Sequence, residues 1–355
     1  MNGRTTLSEP AAPACGLPQV DAERIQLGHG SGGRMSADLI RDRFLPHFAN
    51  PALAPLGDGA VLEFGDQALV VSTDSFVVNP LEFPGGDIGV LAVHGTLNDV
   101  AMMAARPRYL SAAFVIEEGL AMAQLNRIVA SMAGAAANAG VALVTGDTKV
   151  VERGKGDGLF ITTTGIGLRE SDVCPAPERA APGDAVILSG PIGCHGISIM
   201  AARGDLGFEV DIESDTAALW PIVERLQGLG DELHVMRDPT RGGVASALNE
   251  IAEAAGVGVA LDAGALPVPA PVRAACEMLG LDPLYVANEG TMVAVVPEAR
   301  AGFVLDAMRS TSIGQGAVRI GTVVDRHPAR VVMRTDIGGT RIVDMLPGAQ
   351  LPRIC

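Results

Sequence analysis

Aromatic side chains make up only 3% of the sequence, too few for the stacked platforms that hold single-stranded nucleic acid. Basic residues are also in deficit, with 26 Lys and Arg against 41 Asp and Glu and a net charge of −15. A surface of that sign repels nucleic acid and anionic lipid, so neither is an expected partner. A nucleotide needs only a local pocket and stays open. The five cysteines, Cys15, Cys174, Cys194, Cys276 and Cys355, lie far apart without a CxxC pair. That argues against a zinc cage or a disulfide framework and for a reducing cytoplasm. Long apolar runs are missing as well. The best imitation of a membrane span, Ile128 to Gly146, is broken by Ser131, Asn138 and three glycines, and it reads as the end of a helix, a turn and a strand. The first residues are polar and proline-rich and lack the apolar centre of a signal peptide.

What is present is a globular composition, 48% hydrophobic and 19% charged over 355 residues, long enough for two domains. Residues 1–24, with Pro10, Pro13 and Pro18, read as a loose extension. Ala68 to Ser72 and Val141 to Val144 read as buried strands, and Leu159 to Thr164 as another. Between them Met122, Leu125, Val129, Met132 and Ala136 recur at helical spacing, and Asn138-Ala139-Gly140 closes that helix. Ser171 to Asp184 is proline-rich and without apolar period, which divides a first domain (25–172) from a second (183–343). The second half offers strands at 185–188, 257–261, 292–296, 318–324 and 329–333, and helices around 244–254 and 271–279. The mixture predicts an α+β fold in two halves. Two glycine pairs, Ser31-Gly32-Gly33-Arg34 and Arg241-Gly242-Gly243-Val244, echo one another at helix starts.

Four aspartates sit where chemistry is often found. Asp74 and Asp147 follow apolar strands, Asp58 lies between Gly57 and Gly59, and Asp99 is the only formal charge between Val90 and Ala105. Ligand sites in sheet-based folds lie beyond strand ends, and a few carboxylates beside phosphate oxygens suit Mg²⁺. Taken singly, each aspartate is equally a turn or helix cap; their recurrence points to a metal. Asp99 on a largely buried helix would cost several kcal/mol without a compensating cation, the alternative being a narrow solvated stripe shared with Asn98. The run Gly28-His29-Gly30-Ser31-Gly32-Gly33-Arg34 supplies backbone N–H groups for a phosphate before a helix starting near Ser36, and a flexible hinge would read the same. Together with the aspartates it predicts a nucleotide–magnesium site. Lys149, two residues after Asp147, points the same way on an extended segment, toward phosphate, a proton transfer, or simply Glu152. Glu289, just before an apolar strand, reads as a general base or a solvated loop carboxylate. No histidines have metal-ligand spacing.

The chain ends on Cys355, which is no prenylation box. Its last twelve residues, 344–355, form an irregular tail able to span roughly 40 Å when extended. Such an arm either carries a thiol into a distant pocket or is a plain disordered end.

The motifs Leu27 to Gly33, Ser72-Thr73-Asp74-Ser75, Phe83-Pro84-Gly85-Gly86, Asn98-Asp99-Val100-Ala101, Val144 to Val151, Thr240-Arg241-Gly242-Gly243, Ala287-Asn288-Glu289-Gly290 and the terminal Pro352-Arg353-Ile354-Cys355 together resemble the HypE family. These are the carbamoyl dehydratases of nickel–iron hydrogenase maturation, within the superfamily of aminoimidazole ribonucleotide synthetase. The resemblance runs from about residue 25 to the end. It implies two α+β domains with a swinging tail, a homodimer, ATP and Mg²⁺. It also implies conversion of a carbamoyl group on Cys355 into a thiocyanate, with HypF as carbamoyl donor and the HypC–HypD complex as cyanide acceptor. By the same resemblance His29, Gly30, Ser31, Gly32, Gly33, Asn98, Thr145, Gly146 and Asp147 bind ATP. Asp58, Asp74, Asp99 and Asp147 hold metal, and Lys149 and Glu289 handle the amide protons with Cys355. Gly59 departs from the superfamily pattern, where a second aspartate is frequent. Rival readings are a thiamine-monophosphate kinase or selenophosphate synthetase of the same superfamily, which leave the terminal cysteine unexplained, and a non-catalytic scaffold, which leaves the aspartates unexplained.

Overall fold

A computed structural model describes residues 24–204, 206–207, 211–335, 338–348 and 354–355. All but the last residue of the expected 1–24 extension, and 349–353 of the tail, lie outside these. The glycine-rich run leads into two short helices, α1 (Arg34–Leu39) and α2 (Leu45–Phe48), joined by one wide helical turn. Strands β1 (Ala60–Phe64) and β2 (Gln67–Phe76) follow, then a small ribbon, β3 (Glu82–Phe83) and β4 (Gly86–Asp87). Next come α3 (Ile88–Met102), β5 (Arg106–Glu117), α4 (Met122–Asn138), β6 (Ala142–Val151) and β7 (Leu159–Arg169). They make a five-stranded sheet in the order β1-β2-β7-β5-β6, antiparallel except for the β5–β6 pair.

The second sheet has seven strands. Its elements are β8 (Asp184–Leu188), α5 (Cys194–Arg203), α6 (Trp220–Leu226), β9 (Val235–Arg237), α7 (Gly243–Ala255), β10 (Gly258–Asp262), α8 (Ala270–Leu279), β11 (Val293–Pro297), α9 (Ala301–Arg309), β12 (Val318–Val324), β13 (Arg330–Arg334) and β14 (Thr340–Val343). The order is β14-β13-β10-β12-β8-β11-β9, with only β10 and β13 parallel. This is the expected mixed α+β architecture, and among the described residues no helix is long and apolar enough to cross a membrane. The four described cysteines are free thiols.

The helix closed by Asn138-Ala139-Gly140 ends as read, with Gly140 left-handed at φ +68°. Two strands run further than their apolar patterns. The strand read as Ala68–Ser72 continues to Phe76, and the one read as Val141–Val144 continues to Val151. Asp74 and Asp147 therefore lie within strands rather than after them. In β2 the extension is held by hydroxyl pairs to β7, Thr73 to Thr164 and Ser75 to Thr162, each 2.9 Å. Cross-strand polar pairs of this kind replace apolar alternation as the stabilising contact.

Helix α3 carries the site. Twelve of its residues are buried, as expected of a helix apolar all round. It lies on β2 and β7 while its end packs against the second half through Ala101 and Met102. Gly165 and Gly167 on β7 permit the close approach, because a Cβ on Gly167 would lie 2.4 Å from Val100 Cγ1. Gly167→Ala is therefore expected to destabilise the chain by about 1–3 kcal/mol, lowering the melting temperature by about 2–4 °C per kcal/mol. Differential scanning calorimetry checks this.

Candidate active site

A cleft of about 750 Å³ opens where the glycine-rich loop, β2, α3 and the second half meet, and it is lined by Asp58, Asp74, Asp99, Asp238, Glu289 and Cys355 among others. Residues 57–59 enter it from before β1, Asp74 from within β2, Asp99 from α3, and Asp238 from the loop after β9. Asp58, Asp99 and Asp238 each place a carboxylate oxygen within 4.8 Å of the others. The Ser72 hydroxyl lies 2.7 Å from Asp99 Oδ2 and 2.8 Å from the Asp58 carbonyl, so one proton serves two acceptors. The nearest fixed cation is Arg237, whose guanidinium meets Asp58 at 2.7 Å and Glu250 at 2.6 Å. It neutralises one carboxylate of the three.

Burial, opposed by Arg237, raises the Asp58 carboxyl to about 6. Burial and the neighbouring carboxylates raise Asp238 to about 8 and Asp99 well above the carboxylate range. A group of hard oxygens crowded so closely fits a divalent cation, which would offset the repulsion that protons otherwise relieve. The donor set present fits a divalent cation such as Mg²⁺: Asp58, Asp99 and Asp238 are the carboxylates close enough together to hold one, and Asp74 lines the same cleft.

Glu289 is buried, and its loop is fixed through its backbone. Its N–H donates to Asp215 at 3.2 Å, and its carbonyl accepts from the Asn98 amide at 3.3 Å. The side chain keeps an oxygen, Oε1, without a hydrogen-bond partner. Burial first, then Asp238 and Asp215, lifts this carboxyl well above the ordinary glutamate range, while Arg241 opposes the rise. Cys355 lines the same cleft. Burial pushes its thiol up to about 12, and the adjacent Arg241 guanidinium pulls in the other direction.

The predicted glycine run reaches the cleft through His29, Gly30, Gly32 and Gly33, whereas Ser31 turns back to the Gly28 carbonyl at 2.8 Å. The two echoing glycine pairs meet each other: a Cβ on left-handed Gly32 would lie 2.6 Å from Arg241 Cβ. Asn98 does not line the cleft. Its buried amide is spent on the backbone, donating to the Ala217 carbonyl at 2.9 Å and accepting from Leu219 N–H at 2.8 Å. It therefore braces the Glu289 loop and the 217–219 segment, and its amide is already committed. Thr145, Gly146, Asp147 and Lys149 also lie outside the cleft of the single chain, on the edge strand β6, where nine of ten residues are exposed. Asp147 and Lys149 do share one face, 3.5 Å apart. Asp238, Arg237 and His195 were not singled out by sequence. The signal available for the first two was a run of charges, Arg237-Asp238-Pro239-Thr240-Arg241, between a short apolar strand and a glycine pair.

A nucleotide-sized acidic cleft between two α+β halves defines a class. Residues 56–169 match the N-terminal domain of AIR synthase related proteins and residues 181–334 the C-terminal domain. Across 337 residues the chain is 52% identical to carbamoyl dehydratase HypE of Cupriavidus necator, covering 95% of this chain and 96% of the relative. A crystal structure of a HypE–HypF complex aligns with a TM-score of 0.83 at 47% identity, over 87% of this chain and 99% of that one. HypE in complex with ATP aligns with a TM-score of 0.78 at 51% identity, over 92% and 98%. The chain belongs to the HypE family of carbamoyl dehydratases.

Proposed function

We propose that the chain dehydrates a carbamoyl group carried on its own Cys355 to a thiocyanate at the expense of ATP, serving hydrogenase maturation. The observation that carries this reading is the position of Cys355, whose side chain lines the same cleft as the clustered carboxylates and Glu289. Dehydrating an S-carbamoyl group requires its oxygen to leave, and phosphorylation converts that oxygen into a leaving group. The carbamoyl oxygen attacks the γ-phosphate with loss of one N–H proton, releasing ADP. The resulting imidoyl phosphate then loses phosphate and its second N–H proton to leave S–C≡N. Magnesium, when bound, neutralises charge on the triphosphate during the first step.

The chain's own residues do the rest. His29, Gly30, Gly32 and Gly33 border the cleft where backbone N–H groups meet phosphate oxygens, and Asp58, Asp99 and Asp238 hold the metal beside Asp74. Glu289, with a free buried oxygen, takes a proton from the amide nitrogen. Closure of the cleft around the tail keeps water from the imidoyl phosphate.

HypF is the expected donor of the carbamoyl group, and the HypC–HypD complex the expected acceptor of cyanide. The working unit on this reading is a homodimer. Strand β6 is an open sheet edge exposing Leu143, Val144 and Val150, and such edges are commonly covered. A second copy there would give Asp147 and Lys149 a place in a shared site and Lys149 a phosphate or amide proton to meet. The expected compartment is the cytoplasm.

Intact-mass measurement tests the proposal. With ATP, magnesium, carbamoyl phosphate and HypF, the protein is expected to gain a carbamoyl group and then lose the mass of one water, with Cys355→Ala as the blank. An unmodified wild-type chain that hydrolyses ATP on another small substrate would favour the kinase reading instead.

A further inference from the structure

His195 has no part in the phosphoryl chemistry, yet it is fully buried and touches the tail. It stands in the first turn of α5, after left-handed Gly193, with its backbone N–H 3.1 Å from Asp215 Oδ1. Its Nε2 lies 2.5 Å from the carbonyl of Ile354, the peptide group that leads into Cys355. Its Nδ1 lies 2.8 Å from the Ser214 hydroxyl. The Ile354 carbonyl only accepts, so Nε2 must carry the hydrogen, and in the neutral ring Nδ1 then accepts from Ser214. Burial holds the ring neutral by lowering its proton affinity, with Asp215 pulling the other way. The Phe83 ring fixes the imidazole plane from its edge, 5.7 Å away at 85°.

The Ile354 side chain is itself buried, in the hydrophobic cluster that includes Phe76, Phe83 and Leu91. Apolar insertion alone sets depth and leaves rotation about the last peptide free. A single directed hydrogen bond to its carbonyl removes that freedom. Asp215 also accepts from the backbone N–H of Glu289 and of Gly290, so the carboxylate that anchors His195 anchors the Glu289 loop as well.

We propose that His195 is the positioning residue that seats Cys355: its Nε2–H grips the Ile354 carbonyl and holds the terminal thiol in register with Glu289. This rests on the function proposed above for why seating matters, whereas the seating itself is measurable without the reaction. Losing the bond leaves a buried carbonyl unpaired, which corresponds to a roughly 5- to 150-fold shift away from the seated tail.

The test is peptide-resolved labelling of the full-length protein with iodoacetamide, without nucleotide or partner. Exposed Cys174 serves as an internal reference in the same molecule. His195→Met fills the ring's space without a donor, and Cys355 labelling is expected to quicken about 10-fold with Cys174 unchanged. His195→Gln retains a donor near the Nε2 position and is expected to restore protection to within about three-fold of wild type. Equal protection in His195→Met and wild type, or equal exposure in the Met and Gln variants, would overturn the proposal. Should His195→Met not fold, Ser214→Ala replaces it, because it removes the bond that fixes the tautomer. A two-fold or greater rise in Cys355 labelling supports the proposal and no rise overturns it. A parallel intact-mass assay separates the two readings. Failure of wild type to form thiocyanate speaks against the function, and unchanged labelling speaks against the seat.

Discussion

Glu289→Gln is expected to arrest the protein at the carbamoyl stage, cutting the rate of water loss from the Cys355 adduct by about 10²- to 10⁴-fold, the usual contribution of a positioned proton acceptor. The substitution is close to isosteric. The hydrogen bonds that hold this loop run through the backbone of Glu289, to Asp215, Asn98 and Ala217, and the side-chain Oε1 makes none. The variant should therefore fold as wild type and melt no lower, which separates a chemical loss from a structural one. Time-resolved intact mass reads the outcome: a persistent carbamoyl adduct supports the role, and thiocyanate formed at the wild-type rate removes Glu289 from the reaction. The pH profile gives a second reading. A proton acceptor must be ionised, and burial raises this carboxyl well above the glutamate range. Activity should then fall as the pH drops through that raised value, placing the acid limb above the ordinary glutamate region near 4.5. In the glutamine variant this limb should vanish from the residual rate.

A lone charge on an apolar helix points to Asp99, which lines the cleft, because the physics there is local: a carboxylate on a helix with twelve buried residues needs a compensating partner wherever the helix packs. The glycine-rich loop was legible for the same reason. Asp238 was not, since its part depends on β9 lying at the sheet edge and delivering it opposite Asp58 and Asp99. Arg237 is equally a product of tertiary contact, with one guanidinium shared by carboxylates from before β1 and from α7. Asn98 misled by its neighbourhood. Adjacent to a site carboxylate in sequence, it sits about 100° further round α3, where its amide bonds the 217–219 backbone of the second half. Asp147 and Lys149 were correctly placed on one face of an extended segment, but an exposed edge strand gives a single chain no means of bringing them to the cleft. His195 left no trace in sequence, because an imidazole in an apolar, small-residue stretch far from every quoted motif is indistinguishable from a core histidine until the tail arrives beside it.

Magnesium should raise the melting temperature of the wild-type protein by about 5–10 °C at saturation, since a ligand at 100-fold its dissociation constant stabilises by about 2.7 kcal/mol. The effect should grow with pH, and the sign follows from the carboxyls themselves. Unfolded aspartate ionises near 4, whereas the folded chain holds the Asp58 proton to about 6 and the Asp238 proton to about 8. Between those values the unfolded state binds fewer protons, so the metal-free fold loses stability as pH rises, and Asp99 acts in the same direction. Metal competes with those protons for the same oxygens, so its stabilisation is least near pH 5 and greatest near pH 8. Asp99→Asn removes one carboxylate while keeping a partner for the Ser72 hydroxyl. It should melt a few degrees above wild type without metal, show a flatter pH dependence, and lose most of the magnesium shift. Asp262→Asn, at a carboxylate paired with Arg334 away from the cleft, should retain that shift. Calorimetry at pH 5 and pH 8, with and without magnesium, decides the matter: a magnesium shift in Asp99→Asn equal to that of wild type would place the metal elsewhere and remove the electrostatic reason for three carboxylates to share one buried space.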